Sequence, residues 1–172
     1  MAWLLRSALV LLAVAALAGC GFQLRASQEL PFATIAVTPE KSGGVAGDMV
    51  RYLGDKVRPV APGAGGEPPQ VILDILQESR EKLAVGVNAS GQVREFELRM
   101  RIEFRLRTAA GVELIAPSSI AQRRSISFVE SAVLAKDAEE ALLNRDMQTD
   151  IAQQLMRRLS AVKLTDVAAT PP

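Results

Sequence analysis

The chain contains no histidine, a single cysteine, one tryptophan and one tyrosine in 172 residues. Without imidazole, Ser-His-Asp triads, histidine-ligated zinc and imidazole acid–base catalysis are excluded. A lone thiol excludes an internal disulfide, so packing alone must stabilise the fold. A marked excess of either charge is missing as well, with 20 basic residues against 19 acidic ones, which argues against general nucleic-acid binding. Beyond the first twenty residues no apolar run is long enough to span a membrane. Gly63, Gly65 and Gly66 lie in a proline-rich stretch without the Lys-Ser/Thr ending of a phosphate loop. Ser79 and Lys82 have the spacing of a Ser-Lys acylase, but within a strand pattern they point to opposite faces. Asp137, Glu140 and Asp146 read as solvated carboxylates at the start and flank of a helix, and Asn88-Ala89-Ser90 matches a glycosylation sequon only by accident. What remains is a binding or scaffolding protein, not an enzyme.

The first residues, "MAWLLRSALVLLAVAALAGC", set the address of the chain. Arg6 supplies a charged n-region, an apolar stretch runs from Ala8 to about Leu17, and small residues follow, as in a secretory signal. The ending Leu17-Ala18-Gly19-Cys20 resembles the bacterial lipobox, in which the Cys thiol is lipidated and the chain is cut just before it. Residues 1–19 are therefore expected to be a cleaved signal peptide and 20–31 a lipidated tether. No cofactor is expected beyond the covalent lipid on Cys20. Removing the signal leaves 153 residues, enough for one domain with its own core, and 19 basic against 19 acidic side chains. Gly21 after the Cys, instead of Asp, points to an outer-membrane destination, with the domain facing the periplasm.

The most regular segment is "REFELRMRIEFRLRT", residues 94–108. From Glu95 to Arg107 the odd positions are all Glu or Arg, while Phe96, Leu98, Met100, Ile102, Phe104 and Leu106 fill the even ones. Side chains alternate across a strand, so this period gives one apolar and one charged face. A shorter strand is expected over 32–37 and a helix capped by Asp48 that carries Met49, Val50, Leu53 and Val57 and ends at Pro59. Residues 59–70 read as a loop. A second strand runs from Val71 to about Val85, with Val71, Leu73 and Ile75 on one face and Asp74, Glu78, Arg80 and Lys82 on the other. "NASG" and "TAAG" are turns, and a fourth strand spans 112–128, at an edge or bulged near Pro117. A final helix from about Lys136 to Val162 carries the stripe Leu143, Met147, Ile151, Leu155, Leu159 and Val162.

This β-α-β-β-β-α order predicts an α+β, two-layer sandwich: a four-stranded mixed sheet with two helices on one face. The single domain covers 32–163, and 164–172 form a flexible tail. A meander brings Arg80, Lys82, Arg94, Arg123, Arg124 and Lys136 toward one end of the sheet, a cluster suited to an anionic partner. The same residues also fit a solvated edge neutralised by Glu78, Glu81 and Glu95.

Taken together, "LAGCGFQLR" (17–25), "REFELRMRIEFRLRTAAG" (94–111), "RRSISF" (123–128) and "VLAKDAEEALLNRDMQTDIAQQLMRRL" (133–159) resemble the LPS-assembly lipoprotein family LptE across the mature chain. The resemblance implies two helices over a four-stranded sheet. It also implies an outer-membrane lipoprotein that plugs an LptD-type β-barrel, helps it fold, and binds and helps insert lipopolysaccharide. It suggests Lys136 in "LAKD" as a lipopolysaccharide contact, to which the cluster adds Arg94, Arg124, Arg80 and Lys82. The Gly/Pro-rich linker and the short tail "LTDVAATPP" depart from the family. Two other classes fit the lipobox: an auxiliary lipoprotein of a lipid-transporting ABC system, distinguished by co-purification with an inner-membrane complex, and a lipid-anchored envelope hydrolase, distinguished by turnover of a peptidoglycan or ester substrate.

Overall fold

The alternation of residues 94–108 does form a strand. In the computed structural model, which describes residues 3, 6, 29–40, 43–61 and 66–164, β3 spans Val93–Thr108. Cys20, residues 1–19 apart from 3 and 6, most of the tether and residues 165–172 lie outside the described residues. Strand β2 (Val71–Val87) and β4 (Glu113–Ser127) flank β3 antiparallel, and the short β1 (Ile35–Thr38) pairs in parallel with β2. The sheet order is β1-β2-β3-β4. Helix α1 (Gly44–Leu53) provides the crossover between the two parallel strands, and α2 (Val133–Ser160) closes the chain.

Leu98, Met100, Ile102, Phe104 and Leu106 of β3 are buried, and Met49 and Leu53 of α1 join Met147, Ile151, Leu155 and Leu159 of α2 above them. Each of these side chains contributes about 1.5–3 kcal/mol by leaving water. At about 3.3 Å per residue β3 is roughly 53 Å long. Twenty-eight helical residues at 1.5 Å make α2 about 42 Å long, so one helix roofs most of the strand. Among the described residues every buried side-chain nitrogen and oxygen has a hydrogen-bond partner. None of the described helices is long and apolar enough to cross a membrane.

The expected bounds shift in the first strand and in both helices, with α2 running from Val133 to Ser160 instead of from Lys136 to Val162. The first strand begins at Ile35, not Phe32, and Phe32 packs in the core ahead of it. Helix α1 begins at Gly44 instead of being capped by Asp48, which sits buried inside it. Gly43 has no side chain to cap the helix, and the carboxylate of Glu78 in β2 accepts the Val45 N–H at 2.9 Å instead. Gly54, at φ +52°, ends α1 five residues before Pro59, the expected stop, and Val57 leaves the helix to bridge Ile35. Pro117 falls where the β3–β4 register slips, on an edge strand, as a residue without an N–H requires.

A larger correction concerns β2. Ile75 faces Phe104, but Gln77 faces Glu103, so Leu76 is an extra residue in the ladder. A one-residue bulge exchanges the faces of everything after it. Glu78, Arg80 and Lys82 therefore stand opposite Ile102, Met100 and Leu98, on the helix-covered face. Only Asp74, which precedes the bulge, lies on the open face expected for all four.

Candidate functional site

Because of that bulge, Arg80 and Lys82 of the expected cluster meet α2, where Arg124 of β4 joins them. Arg80 donates to Glu78 Oε1 at 2.8 Å and to Gln148 Oε1 at 2.7 Å. Lys82 Nζ lies 2.5 Å from Glu140 Oε2 and 4.6 Å from the centre of the Phe96 ring. Arg124, opposite Leu98, donates to Asp150 Oδ2 at 2.6 Å. These three cations tie the sheet to the last helix, and each already holds a carboxylate.

Arg94 and Lys136 are placed differently. The Arg94 carbonyl accepts the Phe128 N–H at 2.8 Å, and Lys136 Nζ reaches Ser127 Oγ at 3.0 Å and Glu139 Oε2 at 2.8 Å. Both thus flank the end of β4, beside the β2–β3 turn. Arg94 donates to Gln92 Oε1 at 3.2 Å and has no carboxylate partner among the described residues. The same end exposes Val85, Val87, Val129, Val133 and Leu134, the last at 86%. Cations beside exposed aliphatic side chains match an amphiphile that carries both phosphate and acyl chains. Sequence reasoning identified the cations but gave these aliphatic residues no role, because their exposure depends on how the sheet ends there.

Arg123 faces the open side, directly opposite Arg99. The six expected cations therefore do not converge: Arg94 and Lys136 share the turn end, Arg80, Lys82 and Arg124 run beneath α2, and Arg123 looks away from them. Sequence reasoning did not single out Arg99 and Arg101, which the register places near Arg123 across a shallow hollow. At the β1 end of the open face, Asp74 is buried and accepts hydrogen bonds from Arg105 and Arg107, each at 2.8 Å, and from Thr38 Oγ1 at 2.8 Å. Burial pushes its carboxyl up, but the hydrogen bonds from Arg107, Arg105 and Thr38 together hold it below the usual carboxylate range. The same contact raises the Arg107 guanidinium above its ordinary value.

These features sit on a frame that other proteins share. The lipopolysaccharide-assembly family LptE matches residues 32–159, from the buried Phe32 to the last turn of α2. The chain belongs to this family. LPS-assembly lipoproteins LptE from Pectobacterium atrosepticum and Photorhabdus laumondii are each 28% identical to this LptE-family chain, over 88% of it and 82% of their own length. The solution structure of lipoprotein B from Nitrosomonas europaea superposes with a TM-score of 0.66 at 34% identity, covering 87% of this chain and 94% of that one. The rare lipoprotein B of Shewanella oneidensis shares the fold, with a TM-score of 0.59 at 20% identity over 78% of this chain and 96% of its own. This LptE-family chain is thus a lipoprotein of lipopolysaccharide assembly, with the α+β sandwich read from its pattern.

Proposed function

We propose that this lipoprotein is held at the outer membrane by acyl chains on Cys20 and faces the periplasm. There it plugs and assists the assembly of an LptD-type β-barrel, and it takes part in the transport and insertion of lipopolysaccharide. The observation that carries the lipid part is the juxtaposition of Arg94 and Lys136 with exposed Val87, Val133 and Leu134 at one end of the sheet. Lipopolysaccharide offers phosphates to the two cations and acyl chains to the aliphatic group. Lys136 is the principal contact, with Arg94 beside it; Arg124, Arg80 and Lys82 support it by fixing α2 over the sheet. The barrel part is supported by the open sheet face, whose Glu and Arg side chains can hydrogen-bond a polar lumen wall.

Neither role requires catalysis. Affinity isolation from detergent-solubilised outer membranes should recover a large β-barrel in equal amount, and recovery of an inner-membrane transporter instead would refute the barrel role. Lys136→Glu combined with Arg94→Glu should abolish most lipopolysaccharide binding while leaving barrel recovery intact. Undiminished binding by that variant would remove the lipid site. Cys20→Ser should release the protein from membranes.

A further inference from the structure

The open face of the sheet holds a second basic site, away from Arg94 and Lys136. Antiparallel register places Glu81, Arg99 and Arg123 in one row across β2, β3 and β4, and Ser79, Arg101 and Ala121 in the next. Small side chains on both sides of Arg101 leave a hollow of about 190 Å³ between the rows. Its rim is three guanidinium groups and one carboxylate, Glu81.

One pair of charges here works against stability. Arg99 and Arg123 stand directly opposite on neighbouring strands, where like charges repel. Arg99 turns along its own strand to Glu97, and Arg101 does the same to Glu103, at 3.0 Å. Arg123 has no carboxylate partner among the described residues, and Glu81 bonds to none of the three arginines. All three arginines line the hollow, and one carboxylate oxygen occupies only part of the five N–H donors of Arg99 and of Arg101. A group that brings negative charge between Arg99 and Arg123 relieves the repulsion and takes up those donors. Guanidinium forks match the oxygens of phosphate in particular. The hollow is lined by polar side chains, Ala121 and the buried Met100, and its volume suits a headgroup-sized anion.

We infer that Arg99, Arg101 and Arg123 form an oxyanion site on the open sheet face that takes phosphate, free or as a phosphate monoester. The site stands whether or not the chain plugs a barrel, since Arg101 and Arg123 are exposed and Arg99 is only half-buried in the isolated domain.

The test is an amide-shift titration of the full chain with inorganic phosphate at constant ionic strength, using chloride as the control. The amides of Ala121 and Arg99 should shift saturably with phosphate and not with chloride. Arg123→Gln should weaken the apparent affinity about tenfold, the loss expected when one charge-assisted hydrogen-bond donor is removed. Arg145→Gln, which alters an arginine on α2 without a carboxylate partner among the described residues, should leave it unchanged. Arg123 is exposed and its charge is opposed by Arg99, so the variant should melt at or above the parent temperature without phosphate. Phosphate should raise the melting temperature of the parent only. Absence of a saturable shift, or equal affinity in parent and Arg123→Gln, would overturn the site. Competition by glucosamine 1-phosphate but not by glucosamine would identify a sugar-phosphate headgroup as the natural group, whereas no advantage of the sugar phosphate over phosphate would identify the free anion.

Discussion

Glu78 of β2 accepts a hydrogen bond from the amide of Val45 at 2.9 Å, so a strand side chain caps a helix whose own N-cap residue, Gly43, cannot. The contact exists only because the bulge at Leu76 turns Glu78 toward the helices. Glu78→Ala should therefore lower stability by about 1–2 kcal/mol, as loss of a cap does elsewhere. Gly44 packs against the same carboxylate at φ +64°, and a Cβ there would collide with it. Gly44→Ala should cost more in the parent than in Glu78→Ala, a coupling that urea denaturation of the two single variants and the double variant would reveal.

Leu76 is the one residue of the early β2 ladder whose removal leaves every neighbour on its present face. Deleting Leu76 should give a folded chain with Arg80 still bound to Gln148. Deleting Ser79 should turn Arg80 and Lys82 away from α2, bring Glu81 beneath the helices and cost about 3 kcal/mol or more through an unpaired buried charge. Circular dichroism with chemical denaturation separates the two outcomes. A Leu76 deletion as damaging as the Ser79 deletion would contradict the register.

Asp74 gives the fold a defined sensitivity to acid. Its carboxyl is held below its ordinary value in the native chain, so near pH 4 the unfolded state binds more protons than the folded one. The stability that Asp74 contributes is complete above about pH 4 and declines as the pH falls toward its folded value. Asp74→Asn should cost about 2 kcal/mol at neutral pH and flatten the acid limb of the stability curve. Melting temperatures measured from pH 6 downward test both effects.

The two faces of β3 should respond to mutation very differently. Phe104 is fully buried and lies 5.5 Å from the Arg158 guanidinium, so Phe104→Ala should cost about 3–5 kcal/mol. Arg101→Ala, on the open face and partnered among the described residues by Glu103, should change stability by less than about 0.5 kcal/mol. Equilibrium unfolding of the two variants compares them directly.

Much of this was written in local pattern. The alternation in β3, the apolar stripe of α2 from Met147 to Leu159 and the proline at an edge each depend on a residue and its near neighbours, so the layer arrangement could be read directly. The faces of β2 could not. Nothing local marks Leu76 as an insertion; it becomes one only where Gln77 must pair with Glu103 on another strand. Asp48 likewise reads as a helix cap, yet Gln148, a hundred residues later, donates to its Oδ2 at 2.7 Å within α1.

For the candidate sites the division is similar. The sequence by itself determined the composition that excludes histidine chemistry, the lone Cys20 at the end of an apolar leader, and a strand with one oily and one ionic side, because residue type and period suffice for each. Only the tertiary structure decided that Arg80, Lys82 and Arg124 are engaged by Gln148, Glu140 and Asp150, that Arg94 and Lys136 share one end of the sheet with exposed aliphatic residues, and that Arg99 faces Arg123. Cross-strand register and helix docking set those pairings, and both arise from contacts between residues distant in the chain.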